Sequence, residues 1–415
     1  MKKVTFIWLL IMMMSLDVWA QQPTNVSGTV VNSTTGQVIA GASVSGGGQT
    51  VVTNDDGYFL LKAGTMLTEI VVSHVGYRSE RVKVDNGEGK EKNLRIRLHP
   101  TTIQLQEVLV VAGGDARELV NAAIRKIPQN YSRQPELYHC FYRETAMKRQ
   151  HHIMVAEGVV DMYKTGYGHG VGRDRVAIRK GRRLLSPRQG DTLSVKVTGG
   201  PVLPVELDIV KNTQFLLNEE ELDGYEMQME PSTTIADRQQ YVVSLRPLIQ
   251  KEYALYYGKL YIDQETLAFS RVELNLDMND RDKATKLMLV KKPIGVRFRP
   301  RELSLLIDYR LGDNGEHQSS NLMHISYVRT TFRFNCDWKR RLFATSFMAC
   351  CEMVVTSHEN AEGTQPLRGR ETFDQRDAFF DKVDFFRDPT FWQDYNLIEP
   401  TESLDRAIDK LLKKY

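Results

Sequence analysis

The chain has 415 residues, with 55 Lys and Arg against 52 Asp and Glu, for a formal net charge of +3. A balance so near neutrality argues against a general nucleic-acid binder, whose footprint is a strong positive field. Four cysteines, Cys140, Cys336, Cys350 and Cys351, are too few for a disulfide scaffold, and sequence alone leaves open both their pairing and buried free thiols.

Residues 1–20 have the pattern of a secretory signal peptide. Lys2 and Lys3 form a basic start, residues 4–16 are almost wholly apolar, and Val18 and Ala20 occupy the −3 and −1 places of a small-residue cleavage site. The apolar run is too short to span a bilayer, and no later stretch reaches the ~18 apolar residues that a spanning helix needs. No Cys follows it, so a lipid-modified N-terminus is not expected. The expected mature chain is exported, periplasmic or outer-membrane associated, with no transmembrane helix.

Residues 21–100 form the first expected domain. Apolar runs at 26–31, 44, 50–53, 58–61, 69–74, 78–84 and 93–98 predict about seven strands, at the regular spacing of a β-sandwich. Asn54-Asp55-Asp56-Gly57 reads as a tight turn in which Gly57 supplies the positive φ. Gly28-Thr29-Val30, Gly41-Ala42-Ser43-Val44, residues 53–59 and Val75-Gly76-Tyr77, taken together, resemble the signatures of the carboxypeptidase-regulatory-like domain. The resemblance implies a transthyretin-like sandwich and an accessory module without catalytic residues. Asn54 stands where the family pattern has Asp.

Residues 101–114 read as a linker, with the domain boundary near residue 112. A helix follows, capped by Asp115, with Ala116, Leu119, Val120, Ala123, Ile124 and Ile127 on one apolar stripe. Pro128 is expected to end it.

Residues 115–360 then read as a larger antiparallel domain behind this helix. The clearest hairpin spans 258–276, where Leu260 and Ile262, then Val272, Leu274 and Leu276, alternate with polar residues around the turn at 264–266. This predicts a sheet covered on one side. Leu303, Leu305, Ile307 and Tyr309 repeat the alternation, and a parity change near Val328 predicts a bulge. Residues 361–415 are an aromatic-rich segment, with Phe379, Phe380, Phe385, Phe386, Phe391 and Trp392, followed by a helix that Thr401 caps. Residues 391–400 are similar to the ends of uncharacterised envelope proteins that pair this same sandwich with a large β domain. The expected class is mainly β: a seven-stranded sandwich, then a curved antiparallel half-barrel with a few helices. Its pattern is similar to periplasmic lipoprotein carriers, in which a half-barrel holds an acyl chain against a covering helix.

Catalytic patterns are sparse. The sequence has no H-E-x-x-H and no G-x-S-x-G elbow. His151 and His152 would point to opposite faces of a strand. Residues 277–282 lack the Gly and terminal Glu of a calcium loop, and Glu219-Glu220-Glu221 reads as a solvated face. Gly166, Gly168, Gly170 and Gly172 read as a hairpin tip. No metal or cofactor is expected. The strongest charge feature is Arg173, Arg175, Arg179, Lys180, Arg182, Arg183 and Arg188, with Asp174 the only acid among them. Such a patch could meet lipid phosphates or an anionic glycan, or pair with acids elsewhere. The function these residues favour is a non-catalytic binding or assembly protein of the cell envelope, the sandwich acting as interaction module and the larger domain holding a lipid or glycan, with an envelope protein as a further partner. A secreted hydrolase acting on peptide or glycan, and an outer-membrane β-barrel or receptor accessory, are the alternatives.

Overall fold

The computed structural model describes residues 24–64, 66–84, 92–101, 115–188, 191, 195–312, 322–338, 344–368, 372–374, 377–383, 392 and 395–413. The expected signal peptide, nearly all of the linker, and Phe385, Phe386 and Phe391 lie outside these residues. Among the described residues no helix is long and apolar enough to cross a membrane.

Seven strands build the N-terminal sandwich. β1 (Thr24–Asn32), β4 (Tyr58–Ala63) and β7 (Lys92–Leu98) form one sheet in the order β4-β1-β7. β2 (Ser43–Gly46), β3 (Gln49–Val52), β5 (Glu69–Ser73) and β6 (Glu80–Lys83) form the other, in the order β3-β2-β5-β6. Alternate residues face inward, so Val26, Val30, Val44, Phe59, Leu61, Ile70 and Val72 make a closed core. Gly57 turns the chain at φ 71°, and a Cβ there would come within 2.9 Å of the Val30 carbonyl oxygen.

The larger domain is one antiparallel sheet of ten strands. β8 (Glu136–Lys148), β9 (His151–Lys164) and β10 (Arg175–Leu185) run from the middle of the sheet to one edge. Residues 186–224 then cross to the far edge, carrying β11 (Lys196–Val197) and the short helices α2 (Leu203–Glu206) and α3 (Glu219–Leu222). From there β12 (Tyr225–Ile235), β13 (Arg238–Pro247), β14 (Tyr256–Asp263), β15 (Phe269–Leu276), β17 (Val296–Leu311), β18 (Met323–Trp338) and β19 (Thr345–Asn360) return, until β19 pairs with β8. β16 (Leu289–Lys291) leaves the sheet to pair with β11. Among the described residues the sheet ends at β10 and β12 and does not close on itself, which does not fit a membrane barrel. In the β17–β18 ladder Asp308 faces Tyr327 while Tyr309 faces Ile325, so the bulge falls at Ser326, two residues from the expected place.

Helix α1 (Ala116–Asn130) is capped by Asp115, whose carboxylate accepts from Arg117 N at 2.8 Å. It does not stop at Pro128. So near the end, proline removes one bond only, and the last turn closes through Tyr131 N donating to Ile127 O at 3.1 Å. Asp280 caps α4 (Arg281–Met288), the local role of the acidic 277–282 loop.

The inner face is covered, and the outer face only in part, where β8, β18 and β19 meet the sandwich and tail. Over the hairpin 258–276 the expected alternation holds, with Leu260, Ile262, Val272, Leu274 and Leu276 buried and Lys259, Arg271, Glu273 and Asn275 half-buried. On the inner face Val120, Ala123 and Ile127 of α1, with Leu203, Ile209, Val210 and Leu217 of the crossover, pack on Tyr138, Leu260, Val272, Ile307 and Phe332. On the outer face Phe141, Tyr327 and Val354 meet Val52 of the sandwich and Leu397 and Ile398 of the tail. The tail occupies both faces. Thr372 bridges Ala177 at the β10 edge. On α5 (Phe379–Lys382), Phe379 fills an inner-face notch left by the paired glycines Gly158 and Gly181, where a Cβ on Gly158 would come within 2.3 Å of its ring. Further on, α6 (Glu402–Leu412) lays Leu404, Ile408 and Leu411 on Val155 and Leu184, on the outer face.

Candidate functional site

The crossover is tied down at one rim of the half-barrel by buried ion pairs. Lys164, at the end of β9, meets Asp208, which also accepts from Tyr309 OH at 2.9 Å. Lys211 Nζ lies 2.6 and 2.8 Å from the two Asp174 carboxylate oxygens and donates to Thr165 O at 2.5 Å. All four charged side chains are at most 1% exposed. Burial, and then the nearby Lys164 cation, pull the Lys211 ammonium down to about 8. Removing charges from water is costly, and each pair recovers that cost only while both partners stay in place. These pairs fill and lock this end of the inner face. Beside them Tyr138 donates to Glu136 and stacks on His358, 5.5 Å between ring centroids.

The opposite rim is open. Between the crossover and the ends of β8, β9 and β19 lies a pocket of about 360 Å³, within the usual range for small-molecule sites. Ile153, Met154, Val195, Val197, Ala349 and Phe380 give it apolar walls. Glu144 lies at its wall, accepting from Tyr142 OH at 2.8 Å and from Phe379 N at 3.3 Å. Burial pushes this carboxyl upward, toward its uncharged form, although these donors oppose the shift. Gly199 and Gly200 line the pocket, and Gly200 turns at φ 92°, with Asp377 O only 2.2 Å from where a Cβ would stand.

A second, smaller cavity of about 260 Å³ separates the sandwich from the outer face. His74, Ser43, Thr50 and Ser73 line one wall; Arg238, Gln240, Arg271, Asp308 and Ser326 line the other. Its arginines are engaged, Arg238 with Asp263 at 2.6 Å and Arg271 with Glu273 at 2.7 Å. Burial, helped by the Arg271 cation, lowers His74 to about 4.

The junction is held by the tail. Glu157, 1% exposed, accepts from Arg143 Nε at 2.9 Å, from Arg182 Nη2 at 2.6 Å and from Trp392 Nε1 at 3.2 Å. Burial alone would raise its carboxyl; Arg143 and Arg182 overcome that and hold it below the usual range. Lys62 Nζ donates to Trp392 O at 2.7 Å and Tyr395 O at 2.9 Å. Asn396 Nδ2 donates to Lys62 O at 2.9 Å. The departure at Asn54 now has a use: its Oδ1 accepts from Tyr58 N at 3.0 Å, while its Nδ2 donates to Pro400 O at 2.9 Å, which a carboxylate could not do.

The basic run is dispersed over these features. Arg182 meets Glu157, and Arg179 Nε lies 2.6 Å from Asp161. Arg183 donates to Phe380 O at 3.0 Å and covers its ring. Lys180 lies over Tyr395, and Arg175 donates to Gly172 O and Asp174 O. Arg173 and Arg188 are exposed. The other candidates are structural. Glu221 accepts from Tyr253 OH at 2.6 Å, and Tyr167, within the glycine run, is buried. Among the described residues no three His, Cys, Asp or Glu side chains gather as metal ligands. All four cysteines are buried and unpaired, and burial pushes the Cys336 and Cys350 thiols up to about 12.

Sequence reasoning missed the rim pocket, whose walls come from five separate segments, and the Glu157 cluster. The one sequence signal for the latter was the similarity of residues 391–400 to other envelope proteins' ends.

No curated protein matches the chain. Several solved structures are similar to it, among them these three. One is MucB in complex with MucA(peri), at 12% identity over 59% of this chain and 99% of that one, TM-score 0.18. Another is a putative outer membrane lipoprotein-sorting protein domain from Vibrio parahaemolyticus, at 8% identity over 60% and 95%, TM-score 0.26. The third is a putative membrane-associated protein of unknown function from Bacteroides fragilis NCTC 9343, at 8% identity over 81% and 99%, TM-score 0.17. Scores this low leave these likenesses without bearing on function. The family model of the CarboxypepD_reg-like domain matches residues 26–110, so the chain carries that domain at its N-terminal end, as the turn and strand signatures of the sandwich foretold.

Proposed function

We propose that this chain is an exported, non-catalytic binding protein of the cell envelope that holds the apolar tail of a lipid in the pocket at the open rim. One observation carries the reading: the inner face is packed and ion-paired at one end, yet an apolar pocket of about 360 Å³ remains at the other. An apolar ligand gains from leaving water there, by about 25 cal/mol per Å² of apolar surface buried. The raised Glu144 carboxyl suits such a lining, because an anion beside a hydrocarbon tail is costly. The sandwich and tail serve as a rigid mount on the outer face, leaving the rim free to exchange ligand. Of the basic run, Arg188, exposed just beyond the end of β10 at this rim, is the member left to meet an anionic group or an envelope partner.

Titration of the full chain with an intrinsically fluorescent polyene fatty acid tests this. Saturable binding of about one equivalent is expected, weakened at least tenfold by Ala349→Phe, which fills the pocket, and by Val197→Phe on the opposite wall. A folded chain that binds no fatty acid, or filled variants that bind like the parent, would overturn the reading.

A further inference from the structure

The open rim carries a second feature, independent of what the pocket holds. Between Asp282 and Glu302 the sequence has Lys283, Lys286, Lys291, Lys292, Arg297, Arg299 and Arg301 and no acid. Seven cations stand in nineteen residues of a chain whose total is +3. Among the described residues, ion pairs engage only Lys283, with Asp280, and Arg299, with Asp337. Lys286, Lys291, Lys292, Arg297 and Arg301 are exposed.

At the tip of this segment, between β16 and β17, Ile294 is fully exposed and Val290 is half-exposed. The neighbouring β13–β14 loop leaves the sheet at the same end, since Tyr256 faces Leu276 and Asn275 faces Ser304. That loop exposes Leu248, Ile249 and Tyr253, and Lys283 Nζ ties the two loops together through Lys251 O at 2.6 Å. The described chain exposes nine large apolar side chains, and six of them (these five and Tyr257) are on this rim. Scattered singly they would mean little; gathered with Lys286, Lys291 and Lys292, which no described acid engages, they mark a surface that another phase covers. The tip is continuous with the pocket wall, because β16 pairs with β11, Lys291 facing Lys196 and Leu289 facing Val197.

We infer that this rim is a membrane-contact surface: Ile294 and Val290 enter the interface of an anionic phospholipid bilayer while the lysines and arginines around them meet its phosphates. Apolar tips and basic flanks are each weak anchors and are effective together. Charge selects this occupant. A second copy would bring the same positive charge to the contact, whereas an anionic leaflet neutralises it.

Co-sedimentation of the full chain with vesicles decides it. Vesicles containing phosphatidylglycerol should bind the protein at low salt and release it as salt rises, and pure phosphatidylcholine vesicles should bind it roughly tenfold less. Ile294→Asp, and separately Lys291→Glu with Lys292→Glu, should each lower binding at least tenfold with unchanged thermal unfolding; the tip is solvated, so both should fold. Arg173→Glu with Arg175→Glu, at the other rim, should leave binding unaltered. Equal binding to both vesicle types, loss of binding in that distant variant alone, or a dimer that Ile294→Asp dissolves would overturn the inference. The fatty-acid titration reads the pocket separately, so either proposal can fail without the other.

Discussion

The two faces of the ten-stranded sheet are closed by different means. The inner face is covered by chain that leaves the sheet at β10 and rejoins it at β12, together with the helix that precedes β8. The outer face is covered in part, by the two ends of the chain, the sandwich from one side of the sequence and residues 392–412 from the other. Inner closure is fixed by buried ion pairs and takes from the distant tail only the plug around Phe379. Outer closure forms only when sandwich, sheet and tail meet, because the tail touches both of the others. One strand serves both: Tyr138, Cys140 and Tyr142 of β8 point inward while Phe141 and Arg143 point outward.

Breaking the inner lock should have the largest effect. Asp208→Asn leaves the Lys164 ammonium buried without a counter-charge, at about 3–5 kcal/mol. Urea unfolding of the full chain measures it, and a loss below 1 kcal/mol would mean that the crossover is held by packing alone. The outer face should yield next, and more locally. Glu157→Gln removes the shared acceptor of Arg143, Arg182 and Trp392, at about 3 kcal/mol, and should expose the tail to limited proteolysis while the sheet stays folded.

Acid should act on the same contact. The folded Glu157 carboxyl lies below its ordinary value of 4.5, so its stabilisation is complete above that value and is lost as pH falls through the lower, folded one. Protease sensitivity of the tail should therefore rise below about pH 4.5, with the sandwich still intact. The smallest change should come from Asn54→Asp, which puts a carboxylate where an amide donates to Pro400 O, at about 1 kcal/mol. Thermal unfolding of that variant sharpens the comparison if the loss falls on the outer face alone.

The sandwich was legible because its signals are local: alternation within each strand, and turns such as residues 54–57. The large sheet's strands were legible for the same reason, but not the cover that sandwich and tail lay over part of its outer face. Arg143, Glu157 and Arg182 read singly as solvated charges, and only strand neighbours bring them together. The basic run shows the same limit. Glu157 and Asp161, which engage Arg182 and Arg179, are about twenty residues away in sequence, yet in the β9–β10 ladder Glu157 stands directly opposite Arg182 and Asp161 faces Ala177, two residues from Arg179 at the bulge. The cations at 283–301 escaped notice for the opposite reason. They alternate with buried Val296 and Phe298, so they look like one wet strand face, and only the fully exposed Ile294 at their centre marks the difference.

Hydrogen–deuterium exchange of the whole chain, with and without saturating fatty acid, locates the ligand directly. Slowed exchange confined to residues 195–200 and 349–351, with the sandwich and the outer-face junction unaffected, is the expected result. Slowing at the junction cavity around His74 and Arg271 instead, or no change anywhere, would contradict a lipid-tail site at the open rim.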